Sequence, residues 1–399
     1  MAEYLVNDTD MTKVADAIRA KGGTTEALAW PDGYKTAIDA IQTGGGGSSG
    51  EPLDPVEVYN NTRPSDWLSM PTPADNEMYL LFRIPDGFSS LLAFTVTCTG
   101  NYTVALGSVS DGAFVQMSST SVASGSKYEA ELFADDYGNL TSDGHKQVMV
   151  KVSGTDILTW EPSKHSKKKS PPKFMGWNIV EISCNLPSGT SVACGSSVGN
   201  SALQKLRYFA WYGNNAMTNM NDMFYYCYSL TAIPQMDTSA VTNMSNMFYY
   251  CYSLTAIPQM DTSAVTDMSY MFNNCYSLTA IPQMNTSAMT NMSNMFSNCR
   301  SLTAIPQMDT SAVANMSNMF NNCFSLTSIL FNSSVTGWAG YAISLQACSL
   351  SHAAIVAFFN SLPTITSAKA ITLTGNPGVS ELTDAEKAIA TGKGWTLTL

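Results

Sequence analysis

The sequence predicts a multidomain chain: a short N-terminal helical segment, an all-β sandwich-like domain, then an α/β solenoid with parallel strands and a capping C-terminal region. Three observations carry this. Between Met217 and Phe331 the chain repeats itself every 24 residues. A "GGGGSSG" stretch at 44–50 separates the first 43 residues from the rest. Between them and the repeats, runs rich in β-branched and aromatic residues alternate with Gly, Pro, Asn and Asp turns.

Residues 1–43 read as two short helices. The first follows Thr9 and Asp10, carries Val14, Ala17 and Ile18 on one face, and ends at Gly22 and Gly23. The second has Pro31 near its first turn and Tyr34, Ala37, Ile38 and Ile41 at helical spacing. So small a unit buries little by itself and calls for a partner. Residues 44–50 form a flexible linker by composition.

Residues 51–212 read as the sandwich-like domain. "NEMYLLFRIP", "LLAFTVTCTG", "YEAELFADDYG", "KQVMVKVSG" and "NIVEISCNLPSG" are its strand candidates. A lysine-rich loop interrupts it, and Lys164, Lys167, Lys168, Lys169 and Lys173 form a weak candidate contact for an anionic cell-wall polymer. A solvated loop explains the same lysines.

Residues 213–336 hold the repeats. Cys227, Cys251, Cys275, Cys299 and Cys323 recur in register with Met-Phe pairs, leucines and isoleucines. In one copy Val241, Met244, Phe248 and Cys251 fall on one face of a short helix, and "SLTAIP" supplies a short strand. Successive strands would stack in parallel at roughly 4.8 Å, with the helices covering their outer side. Residues 337–399 keep two helix-then-strand units, 351–361 with 369–374 and 383–392 with 394–399, as a solenoid's open end requires.

The repeat elements "MFxxCxSLT" and "DTSxVTNMSNM" resemble the leucine-rich repeats of BspA-like surface proteins, also seen in mycoplasma lipoproteins. Val241, Met244, Met247, Phe248, Cys251, Leu254 and Ile257 stand where that family places its core. The resemblance implies an adhesin. Residues 9–41, "TDMTKVADAIRAKGGTTEALAWPDGYKTAIDAI", resemble the start of structural and tail proteins of siphophages and prophages of Gram-positive gut bacteria. That implies a virion component made in the host cytoplasm and released by lysis. Its expected partners are other virion proteins through the N-terminal segment, sister chains in a homo-oligomer such as a trimer, and a host cell-surface glycan or protein. A bacterial surface adhesin and a structural virion decoration protein are the alternatives.

Composition narrows function further. A net charge of −11 argues against general nucleic-acid binding, and no apolar run has the length for membrane insertion. Residues 217–336 hold six charged side chains, Asp222, Asp237, Asp261, Asp267, Arg300 and Asp309, with no pair suited to acid–base work. No catalytic residue, metal site or cofactor is expected. Asp237, Asp261 and Asp309 recur one copy apart and suggest either a Ca²⁺ ladder or turn capping; Asn285 at the equivalent place favours capping. The recurring cysteines and sixteen methionines read as core. Cys184 and Cys194 are close enough in sequence to bridge a hairpin.

The residues around each cysteine vary where the rest of the copy does not. They read "YYCY", "YYCY", "NNCY", "SNCR" and "NNCF". Tyr225, Tyr226, Tyr228, Tyr249, Tyr250, Tyr252 and Tyr276 are therefore the candidate receptor-binding residues, half-exposed and rich in contact area. The competing reading packs them against the β-domain or another chain.

Overall fold

The computed structural model describes residues 63–138, 140–162, 179–194, 203–213, 217–329 and 342–399. The predicted N-terminal helices, the Gly/Ser linker and the lysine loop lie outside the described residues. The chain divides into two units, Met1–Trp67 and Leu68–Leu399. The second is mostly β, with few helices and, among the described residues, no closed barrel.

Eight strands of this unit form one mixed sheet, in the order β3-β2-β5-β1-β6-β8, with β4 on β2 and β7 on β5. They are β1 (Glu77–Pro85), β2 (Ser89–Ser110), β3 (Ala113–Ala123), β4 (Lys127–Phe133), β5 (His145–Pro162), β6 (Ile179–Asn185), β7 (Ser191–Val192) and β8 (Tyr208–Trp211). Each of the five strand candidates contains a strand, and "YEAELFADDYG" and "NIVEISCNLPSG" run on beyond theirs, past Phe133 and Asn185. The expected sandwich of two sheets is replaced by a single bonded sheet. Its reason is the length of β2 and β5, 22 and 18 residues, far beyond the usual ~5–6. Their pairing shifts register between Thr97 and Thr103, so each runs through both halves of the sheet. Phe94 lies within ring contact of Tyr102, Tyr128 and Trp160.

Strand β3 is not among the candidates. Its Ser-rich sequence "AFVQMSSTSVA" is exposed on both faces, so it carries no alternation to read. The sheet's ladder with β2 holds it in place.

The repeats stack, each bonded to the next, without the predicted helix and strand. The N–H groups of Met220, Asp222, Phe224 and Tyr226 donate to Asn243, Ser245, Met247 and Tyr249 one coil on. Between them, those of Met223, Tyr225 and Cys227 close turns onto Met220, Asp222 and Phe224. Alternate amides thus serve the neighbouring coil and the local turn. A helix would need every amide for itself. Two positions per coil also have positive φ, Asp222 and Tyr226 in the first and Asn246 and Tyr250 in the second; each interrupts right-handed helix. Parallel pairing is confined to isolated bridges through Asn219, Asn243, Asp267, Asn291 and Asn315, and one between Ala304 and Ser328 in the "SLTAI" stretch.

The core of the stack is a set of ladders. Phe224, Phe248, Phe272, Phe296 and Phe320 are fully buried and stacked, with centroids 5.5–5.9 Å apart. Phe209 of β8 meets Phe224 edge-on at 5.1 Å, so the sheet closes this end of the ladder. At the other end a three-stranded parallel sheet, β9 (Ile343–Ser344), β10 (Lys369–Thr372) and β11 (Trp395–Thr398), alternates with α1 (His352–Ser361) and α2 (Asp384–Thr391). Both helices, β10 and β11 fall where the sequence places them; β9 is not among the expected elements. Asn322 N–H donates to the Gln346 carbonyl at 3.0 Å and Ser349 N–H to Leu326 at 3.0 Å, joining this sheet region to the last repeat.

Candidate functional site

Three side chains vary from copy to copy, the two before the cysteine and the one after it; Asn273, Asn274 and Ser297 of the later coils are buried, those of the first two coils are not. In the first two coils all are tyrosines. Tyr225, Tyr226, Tyr228, Tyr249, Tyr250, Tyr252 and Tyr276 are all half-buried, and the structure brings them into one surface. Tyr225 stacks on Tyr249 at 5.0 Å. Tyr228 stacks on Tyr252 at 4.8 Å, and Tyr252 on Tyr276 at 4.7 Å. Tyr226 sits edge-on to Tyr250 at 4.8 Å and Tyr249 edge-on to Tyr250 at 4.5 Å. Among the described residues their ring contacts run to one another, to Tyr270 and to Arg300. It is Phe209 and Phe224, not these tyrosines, that join rings between the β-domain and the repeats.

Sequence reasoning misses three members. Tyr270 is 38% exposed and edge-on to Tyr249 at 5.9 Å. Arg300 and the exposed Phe324 continue the line of Tyr228, Tyr252 and Tyr276 at the position after the cysteine. The guanidinium carbon of Arg300 lies 4.3 Å from the Tyr276 ring centre and 5.8 Å from that of Phe324. The 24-residue register already aligns all five, so the cue is present in the sequence.

The backbone singles out three tyrosines. Tyr226 and Tyr250 have φ of 60° and 63°, and Tyr270 has 57°. The equivalents of Tyr226 and Tyr250 in later coils, Asn274, Asn298 and Asn322, share that conformation, as do Asn246, Asn294 and Asn318 at the place of Tyr270. Asn tolerates positive φ by bonding its own backbone; a bulky aromatic does so at a cost. Variation here is thus not free of the stack. The stack dictates a left-handed residue, and tyrosine is the strained choice.

Burial, reinforced by neighbouring phenols, pushes the hydroxyls of Tyr225, Tyr228, Tyr249 and Tyr252 above the usual tyrosine range. They remain hydrogen-bond donors at any physiological pH.

The cysteines lie beneath this surface. All nine are free and buried, and burial raises the ladder thiols well above their ordinary range. Four ladder Sγ atoms donate to a phenylalanine carbonyl of the previous coil: Cys251 to Phe224 at 3.1 Å, Cys275 to Phe248 at 3.2 Å, Cys299 to Phe272 at 3.0 Å and Cys323 to Phe296 at 3.1 Å; Cys227, in the first coil, donates to the Cys194 carbonyl at 3.7 Å. Cys348 takes the same role against Phe320 at 3.3 Å, a continuation hidden by its spacing. Cys184 and Cys194 are not bridged; Cys184 Sγ donates to the Ala210 carbonyl at 3.7 Å.

The aspartates act as turn caps. Asp237, Asp261 and Asp309 each accept the N–H of the serine two residues on, at 3.0, 2.9 and 2.9 Å, and Asn285 does the same at 3.1 Å. Asp261, Asn285 and Asp309 line a groove of about 640 Å³ together with a ladder of glutamines, Gln259, Gln283 and Gln307. Gln235 Nε2 donates to the Gln259 carbonyl at 2.7 Å and Gln259 Nε2 to Gln283 at 2.7 Å, so these amides tie coils together. Among the described residues no three His, Cys, Asp or Glu side chains converge as a metal site would.

The recurring rungs are also what the comparisons detect. Residues 218–338 match the family described as "Mycoplasma protein of unknown function, DUF285". That family is associated with BspA-like repeat proteins. The match lies over the stacked repeats that carry the tyrosines. No curated protein matches the chain.

Proposed function

We propose that this chain is a non-enzymatic adhesion protein of a phage particle, binding the host surface through the tyrosines of a leucine-rich-repeat solenoid. The observation that carries the adhesion reading is the strained tyrosines. Asn fits the left-handed positions of this stack, yet Tyr226, Tyr250 and Tyr270 occupy them and join a continuous aromatic surface. Backbone strain retained where a cheaper residue is at hand points to a surface kept for contact. Half-buried, mutually packed phenols lose little entropy on binding. Many copies on one particle would turn weak contacts into firm attachment.

The virion half of the proposal rests on the resemblance of residues 9–41, which would attach the chain to the particle or to sister chains. A tail fibre, tail tip or head fibre would suit. A second reading, a bacterial cell-surface adhesin, is favoured by the repeats' match to a family described from Mycoplasma.

Two measurements test this. Purified full-length protein should bind intact host cells, and Tyr228→Ala/Tyr252→Ala should lose that binding while remaining folded. Binding unchanged by the double substitution ends the tyrosine reading. Antibody labelling of purified particles in the electron microscope should place the chain on them. Unlabelled particles, with labelled bacterial cells, would leave the surface-adhesin reading in place.

A further inference from the structure

We propose that the line of side chains following the cysteines receives an acidic polysaccharide, its hydroxyls on the tyrosines and a carboxylate on Arg300. The inference rests on the tyrosine surface being the contact surface and names the ligand class it takes.

The line runs Tyr228, Tyr252, Tyr276, Arg300, Phe324, one residue per coil. The first three rings are nearly parallel, with interplanar angles of 16° and 19°. Rings stacked on each other spend their faces on each other. What the line offers is its edge, phenol hydroxyls about one coil apart, of which that of Tyr276 donates to Asn274 Oδ1 at 3.2 Å and keeps its oxygen as an acceptor. Arg300 continues the row in kind. Its guanidinium carbon lies 4.3 Å from the Tyr276 ring centre and 5.8 Å from that of Phe324, and the residue is exposed.

Arg300 is the single basic residue between Met217 and Ile329. It is exposed, it lies against two rings, and among the described residues it makes no ion pair. The acids Asp237, Asp261 and Asp309 are each taken up by a turn of their own. A cation left unpaired on a chain of net charge −11 is unusual, and this one is held in orientation by its neighbours. Three sister coils place tyrosine there, so the stack does not require arginine. A guanidinium with a fixed, open fork is matched to a carboxylate, which it binds through two parallel hydrogen bonds. A row of hydroxyls at a regular rise, able to donate or accept, fits a ligand that is itself periodic and rich in hydroxyls. Together these specify a polysaccharide carrying carboxylates.

The test uses the full-length chain on an array of oligosaccharides in which each uronic- or sialic-acid member sits beside its carboxyl-reduced counterpart. The wild type should retain acidic members and not their reduced partners, with retention falling as salt rises. Arg300→Tyr, which copies the sister coils and so keeps the stack, should weaken that binding roughly tenfold to a hundredfold. Arg300→Lys should recover only part of it, since it restores the charge without the fork. Equal binding of acidic and reduced members, an unaffected Arg300→Tyr variant, or retention of no acidic member overturns the inference. Loss of binding in Tyr252→Ala with none in Arg300→Tyr would leave the tyrosine surface standing and remove the acidic ligand. Indifference to both would remove both.

Discussion

Tyr226 and Tyr250 carry the sharpest residue-scale consequence. Each occupies a position where the backbone is left-handed and sister coils use asparagine. The strain of such a residue is about 1–2 kcal/mol relative to a right-handed one, less for asparagine. Tyr226→Asn/Tyr250→Asn should therefore raise the melting temperature, by about 1 kcal/mol in stability or somewhat less after lost ring contacts. The same change should abolish cell binding. A drop in stability would mean that the rings hold the stack together, and the strain would no longer point to a contact surface. The cysteines make a second prediction. Buried thiols with raised pKa values react poorly, so an alkylating reagent should leave the native repeats untouched and label them after unfolding. Cys275→Ala should cost about 1–2 kcal/mol, from a small cavity and a weaker bond to the Phe248 carbonyl, which keeps the Cys251 N–H as a donor. Denaturant melts would measure it. At this scale the sequence reveals the seven tyrosines as a group, because the repeat makes each departure visible. It hides the strain, since φ is a property of the stacked backbone rather than of the letters.

At the scale of elements, the two C-terminal helices are fastened by His352, whose Nε2 lies 3.0 Å from Glu386 Oε1. Glu386 also closes the capping box of α2 with Thr383. Its hydrogen bond with Glu386 raises His352 above its ordinary value of 6.5. The stabilisation from this histidine is whole below pH 6.5 and disappears as pH rises through its folded pKa. The bond to His352, and then those to Thr383, hold Glu386 down to about 2 from its ordinary 4.5. Its contribution is whole above pH 4.5 and disappears as pH falls toward 2. The fastening is therefore firmest between pH 4.5 and 6.5. His352→Gln should speed hydrogen exchange in α2 most within that window and little at about pH 9. Equal effects inside and above the window would show that the pair does not hold the helices. These helices are legible in the sequence because Ser351 and Thr383 cap them and their apolar spacing is local. The supposed helix in each repeat has similar spacing, as Val241, Met244, Phe248 and Cys251 show. Spacing alone does not disclose that alternate amides bond to the next coil.

For the whole molecule, the stack is a sum of like contacts between neighbours, closed by the β-sheet at one end and the three-stranded sheet at the other. Deleting residues 271–294, one full period, should leave a folded protein with a single melting transition, because Tyr270 then leads into Met295 in register. Deleting 342–399 should instead expose Phe320 and Cys323 at an open end and give an insoluble chain. A soluble truncated chain, or an unfolded one-period deletion, would contradict this view of its stability.

The sequence by itself determined the period, the buried rungs of Phe, Cys and Leu, the turn-capping aspartates and the helices of the C-terminal region. Each follows from residue type at a fixed spacing. Only the tertiary structure decided the rest. It made one bonded sheet of the expected two, since strand length and pairing are settled by partners distant in sequence. It turned predicted strands and helices into a chain of turns, since hydrogen bonds between coils took the amides that local structure would have used. It also set Arg300 between two rings contributed by the coils on either side, a neighbourhood that exists only once the repeats have stacked.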